Sequence, residues 1–149
     1  HAYLAAPYGV YATADGWLAV AMTPIGRLAE LLHIAELEPY ARDPRSWFTS
    51  RDAIKRLIAD RLASAATEHW LAILEPADIW CAKVLQWPEL LASDGFSVLD
   101  MLQTVERDDG VSIVTTRSPL RVNGQRPGGC RAAPTVGEHS EAIRREFGL

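Results

Sequence analysis

Two Asp-Gly pairs, Asp15-Gly16 and Asp109-Gly110, interrupt stretches of β-favouring residues, and nothing else in the chain restricts its fold as tightly. Asp-Gly in this setting marks a tight hairpin, because glycine accepts the positive φ that such turns require. The first hairpin is predicted over Tyr8 to Met22, turning at Ala14-Asp15-Gly16. The second runs from Leu102 to Arg117, with Val111, Ile113 and Val114 in its returning strand. Between them Ile79 to Val84 is short and partly β-prone, and reads as a further strand.

The intervening segments have helical spacing. Thr23-Pro24 opens the first helix: the hydroxyl can accept a free backbone N–H, and proline at the first helical position forfeits no hydrogen bond. Ile25, Leu28, Leu31 and Leu32 follow on one face. A polar connection from Glu38 to Ser50 leads to a second helix with Ile54, Leu57, Ile58 and Leu62 on its apolar side and Ser50 as its cap. Thr67 is placed to cap a third, which carries Trp70, Leu71 and Leu74 and stops at Pro76. Trp87-Pro88 opens a short helix through Leu91. Ser118 to Pro134 holds three prolines and three glycines, the composition of a loop or linker. A closing helix from about Glu138 to Phe147 ends at Gly148, a suitable C-terminal cap. The expected class is α/β, as an α+β small domain: two hairpins and a short strand with three to four helices, then an extended tail and a C-terminal helix.

Composition narrows the partners. At 149 residues the chain is one domain-sized unit, and 48 % hydrophobic with 23 % charged residues is ordinary globular usage. A net charge of −4 gives no basic footprint for nucleic acid. The longest apolar runs, such as Leu18 to Met22, fall short of the ~20 residues that cross a bilayer. Two cysteines, Cys81 and Cys130, without a CxxC, point to a reducing, cytosolic setting. A start at His1, with neither methionine nor a signal pattern, reads as a processed or excised piece of a longer chain.

The chain spells out no self-contained catalytic constellation. His33, His69 and His139 have no second ligand at metal spacing, so no metal site is expected. Cys81, in an apolar strand, reads as a small core residue rather than a nucleophile. No phosphate loop, dinucleotide fingerprint or nucleophile elbow occurs. Glu36, Glu38, Asp43, Asp94, Asp108 and Asp109 lie in or beside predicted loops, as solvated acids do. Of the five tryptophans, most, Trp47 and Trp70 included, read as core or domain-interface anchors.

Taken in order, several motifs carry a resemblance. They are His1 through Pro7-Tyr8-Gly9-Val10-Tyr11-Ala12-Thr13-Ala14-Asp15-Gly16-Trp17-Leu18-Ala19-Val20, then Asp43-Pro44-Arg45, Arg51-Asp52, Glu68-His69-Trp70-Leu71 and Cys81. Arg117-Ser118-Pro119-Leu120-Arg121 and Pro134-Thr135-Val136-Gly137-Glu138-His139-Ser140-Glu141 complete the set. In this order and spacing the chain resembles, nearly end to end, the C-terminal third of class III CoA-transferases. That family includes formyl-CoA transferase, carnitine-CoA transferases and α-methylacyl-CoA racemase.

The resemblance implies a two-domain enzyme whose Rossmann-like large domain is mostly upstream of His1. Residues 1–117 would be the small domain, and residues 118–149 a linker and helix returning to the large one. It further implies interlocked homodimers, an acyl-CoA and a carboxylic acid as substrates, coenzyme A thioester rather than a covalently bound cofactor, and an aspartyl nucleophile absent from this chain. No catalytic residue is carried over. The segment from His1 to Tyr11 would form a wall of the acyl site and present Tyr3, Tyr8 and Tyr11, although these tyrosines could equally pack against the sheet. Thr23 stands where the racemase branch carries a glutamate before proline. Threonine cannot move an α-proton near neutral pH, which favours transfer over racemisation, although a helix cap predicts the same residue. Trp80 and Lys83, where the family often has proline, and Gly128-Gly129 depart from the pattern. Gly137-Glu138-His139-Ser140 suits capping and docking of the last helix. A racemase-type isomerase and a non-catalytic interaction module are the alternatives.

Overall fold

The computed structural model describes residues 4–107, 109–126 and 132–149. These form two compact units, His1–Gln86 and Trp87–Leu149.

The first unit is a three-stranded antiparallel sheet packed on helices. Strands β1 (Gly9–Ala12), β2 (Trp17–Val20) and β3 (Cys81–Lys83) lie in the order β1-β2-β3. Their register aligns Tyr11 with Leu18 and Lys83, and Val10 with Ala19 and Ala82. Alternation across the pleat sends Tyr11, Leu18 and Val20 into the core. Val10 and Trp17, on the opposite face, remain exposed. The first hairpin thus forms where the sequence predicts it, but Gly16 does not adopt positive φ. Its role is close approach: a Cβ at this position would lie 3.1 Å from Thr67 Oγ1.

Helices α1 (Ile25–Leu32), α4 (Arg51–Leu62) and α5 (Thr67–Leu74) supply the rest of the core. Ile54, Ile58 and Leu62, four residues apart on α4, meet Ile25, Leu28 and Leu32 of α1 and Trp70 and Leu74 of α5 in one buried cluster. Burying each such side chain is worth about 1.5–3 kcal/mol relative to exposure. Arg61 stitches the helices together. Its Nε donates to the Leu32 carbonyl at 2.7 Å, which caps the end of α1, and its guanidinium lies 5.3 Å from the Trp70 ring centroid. His33 is not inside the helix but follows it at φ 54°, a left-handed C-cap.

The helix starts differ from expectation. Pro24 rather than Thr23 occupies the N-cap of α1, and neither it nor Ser50 at the N-cap of α4 caps through its side chain. Thr67 is the first residue of α5 rather than its cap. Asp15 at the hairpin tip takes that role from 52 residues away: its Oδ1 accepts the Thr67 N–H at 2.7 Å and the Thr67 hydroxyl at 3.0 Å. A carboxylate is the stronger acceptor for the partial positive charge of a helix start. The Glu38–Ser50 connection contains two short helices, α2 (Glu38–Ala41) and α3 (Ser46–Thr49). The Tyr40 carbonyl accepts Trp47 Nε1 at 2.9 Å, and the Trp47 carbonyl accepts the Ala6 N–H at 2.8 Å, which holds the N-terminal segment.

The second unit contains α6 (Trp87–Leu91), α7 (Asp94–Val98), the hairpin of β4 (Leu102–Glu106) and β5 (Ser112–Thr116), and α8 (Ser140–Phe147). Gly110 does take positive φ, 84°, as its hairpin turn requires. Gly148 ends α8 in the left-handed region, as predicted. Helix α7, capped by the Ser93 hydroxyl, was not anticipated. Among the described residues of this unit none is buried; Val98, Val114, Leu120 and Phe147 are all largely exposed. Trp70 is buried and Trp47 half-buried as expected, whereas Trp17, Trp80 and Trp87 stand in the open. No helix among the described residues is long and apolar enough to cross a membrane.

Candidate functional site

The segment preceding β1 and the loop leaving β2 run side by side, so residues far apart in sequence share one edge of the first unit. Tyr8, 40 % exposed, stands between two hollows there. On one side lies a pocket of about 490 Å³ lined by Ala6, Pro7, Met22, Thr23, Pro24 and Trp47, among others. Thr23 is buried, and among the described residues no acidic, basic or histidine side chain lines this hollow.

On the other side is a groove of about 730 Å³, walled by Tyr8, Val10, Ala19, Trp80, Cys81 and Ala82. Lys55 of α4 supplies its charge. The lysine passes directly over the backbone of Gly9: a Cβ there would stand 3.0 Å from Lys55 Cε and 3.1 Å from Nζ. Cys81 is a free thiol, half-buried; burial first, and the nearby Glu75 charge second, push its pKa up and keep it protonated.

Thus Tyr8 and Thr23 come together on the pocket. Tyr11 does not join them. It is buried in the core, its hydroxyl donates to the Pro7 carbonyl, and burial pushes its pKa up. Tyr3 lies outside the described residues. Lys55 escaped sequence reasoning, although a glycine inside a strand, as at Gly9, is a signal of close approach by another group.

A polar hollow of about 660 Å³ lies in the second unit at Arg107, Asp109, Thr135, Glu138 and His139. Its charges are already engaged. Arg107 pairs with Asp109, and Glu138 accepts the Thr135 N–H at 2.8 Å and hydroxyl at 3.0 Å. These bonds hold both carboxyls below the usual carboxylate range. His139, at the N-cap of α8, faces Glu138 at 3.8 Å. Among the described residues no cluster of three metal-ligating side chains occurs.

Fold and site define an α+β small domain with an open apolar edge. Comparison with known proteins gives it a family: the profile of CoA-transferase family III matches residues 1–140, and the chain belongs to that family. It is 26 % identical over 133 residues to the formyl-CoA:oxalate CoA-transferase of Streptomyces coelicolor, covering 87 % of this chain and 32 % of that protein. The chain therefore spans about a third of the length of this curated relative. Among solved structures it is similar in fold to Rv3272 from Mycobacterium tuberculosis, with TM-score 0.63 and 22 % identity over 92 % of this chain and 40 % of that one. A CAIB/BAIF family protein from Brucella suis gives TM-score 0.58 and 21 % identity, covering 96 % of this chain and 38 % of its own.

Proposed function

We propose that this chain is the C-terminal portion of an acyl-CoA transferase, which moves CoA from an acyl-CoA to a carboxylic acid. The observation that carries the reading is the hollow at Thr23, where the described residues of a family-III small domain offer a largely apolar wall with no acidic, basic or histidine side chain. Racemisation needs an acid and a base beside the α-carbon. A buried threonine between Met22 and Pro24 supplies neither.

The chemistry would belong to an aspartate upstream of His1. Its carboxylate attacks the thioester carbonyl, giving an acyl-aspartyl anhydride and CoA thiolate. The thiolate then attacks the aspartyl carbonyl, releases the donor acid and leaves an aspartyl-CoA thioester. The acceptor carboxylate attacks that thioester to form a second anhydride and free the thiolate, which takes the acceptor acyl group and restores the aspartate. A covalent carboxylate splits one difficult transfer into easier steps. This chain would contribute the wall at Tyr8 and Thr23, with Tyr11 supporting from within the core.

Residues 1–117 would then act as the small domain, and residues 118–149 as the tail that returns to a large domain of the same or an interlocked partner polypeptide. Two facts support this. The relative is about three times longer than the matched part, and the second unit leaves large apolar side chains uncovered, the mark of a surface meant for another surface. A cytosolic location and a homodimer belong to the same proposal. The test is a CoA-exchange assay on the complete polypeptide with an acyl-CoA donor and a carboxylate acceptor in deuterated water. CoA exchange without deuterium at the α-carbon is expected; α-deuteration without CoA exchange would overturn the reading in favour of an isomerase.

A further inference from the structure

We infer that the groove beside Lys55 is a binding site for an amphiphilic monocarboxylic acid, its carboxylate on the lysine and its apolar body along the outer face of the sheet. Lys55 does not lie on the surface as a free tether. It sits on α4 beside buried Ile54, and its Cε and Nζ come within 3.0 and 3.1 Å of where a Cβ on Gly9 would stand. The ammonium therefore lies at the Gly9 end of the groove. Among the described residues no carboxylate lies within 4.0 Å of it. Glu75, whose charge reaches Cys81, is not among the groove's lining residues.

The remaining walls are chemically plain. Val10, Ala19 and Ala82 are in register across the three strands, so their small side chains form a shallow apolar trough. Trp80, 63 % exposed, bounds it, and Tyr8 brings a phenol to the same end as Gly9. One cation at one end of an apolar trough complements one anionic head and one apolar body. A second carboxylate on the ligand would lie against alanine and valine with nothing to compensate its lost hydration. The class is therefore an aromatic or aliphatic monocarboxylate. Only its role as CoA acceptor rests on the transferase reading; the binding does not.

The probe pair is phenylbutyrate and its neutral amide, titrated against the complete polypeptide with tryptophan fluorescence and calorimetry. Because a charge-assisted hydrogen bond separates the two ligands, the acid is expected to bind roughly tenfold more tightly than the amide. The gap should close in Lys55→Met and return in Lys55→Arg. Equal affinity for acid and amide in the unaltered protein overturns the proposal, as does a gap that survives Lys55→Met. The unaltered protein decides the matter even where a variant fails to fold. Phenylbutyrate binding without CoA transfer to it supports the groove and counts against the transferase. CoA transfer to other acids without phenylbutyrate binding does the reverse.

Discussion

Asp15 Oδ1 accepts the Thr67 backbone N–H at 2.7 Å, so the tip of the first hairpin is the N-terminal cap of helix α5. Hydrogen bonds from the Thr67 backbone and then its hydroxyl hold the Asp15 carboxyl below the usual carboxylate range. A folded-state pKa below the unfolded one contributes stability that is present above the unfolded value, about 4, and is lost as pH falls through the folded value. Thermal melts of the unaltered protein should therefore fall more steeply below about pH 4 than those of Asp15→Asn. Parallel pH profiles for the two proteins would sink this account.

Gly16 and Thr67 meet at the same junction. Gly16→Ala places a methyl 3.1 Å from Thr67 Oγ1 and should destabilise the fold by about 1 kcal/mol. In a Thr67→Ala background the obstructing atom is gone, so the same substitution should cost less. A double-mutant cycle measures this coupling, and strictly additive losses would show that the contact is immaterial.

These two junctions also mark how far the sequence could be read. Both hairpins were legible, because Asp-Gly between β-favouring runs is a local signal. So were α1, α4 and α5, whose apolar residues recur over at least two turns. Helices α2, α3 and α7 have only four or five residues, too few for a period to register. The caps were misassigned because their partners are tertiary: nothing near Thr67 announces Asp15, and Thr23 is buried by Pro24 and the N-terminal segment instead of turning back on its helix. Of the site, Tyr8 and Thr23 were readable through their neighbours in the family pattern. Lys55 and Gly9 come together only when α4 packs on β1.

Trp70 joins three helices. Its Nε1 donates to the Leu62 carbonyl at 2.8 Å, at the end of α4, while its ring lies under Arg61. Trp70→Phe removes the donor, leaves a buried carbonyl unsatisfied and opens a void. Together these should lower stability by about 2 kcal/mol or more in chemical denaturation. His69→Ala, one position away on the exposed side, should change it little.

Helix α8 presents Ile143 and Phe147, four residues apart and both exposed. If they dock on the large domain, charging both with Ile143→Glu and Phe147→Glu should leave the melting of the first unit unchanged while the complete polypeptide loses CoA transfer or its dimer. Full activity and unchanged assembly in that variant would remove α8 from the docking surface.

Thr23 offers the sharpest distinction between the proposed transfer and its isomerase alternative. Thr23→Glu would place an acid where the family resemblance puts one in the racemase branch, in a hollow that no cation lines among the described residues. Desolvation should raise the new carboxyl's pKa and keep it largely protonated near neutral pH. The variant should therefore transfer CoA more slowly, by roughly tenfold or more, because a polar group now occupies an apolar wall. α-Proton exchange on a methyl-branched acyl-CoA should stay at background, since one misplaced acid does not make an acid and base pair. Thr23→Val, nearly the same size and without the hydroxyl, should keep most of the transfer rate. Rapid α-deuteration by Thr23→Glu would show that the remainder of an isomerase site is already in place, and that threonine alone separates this protein from racemisation.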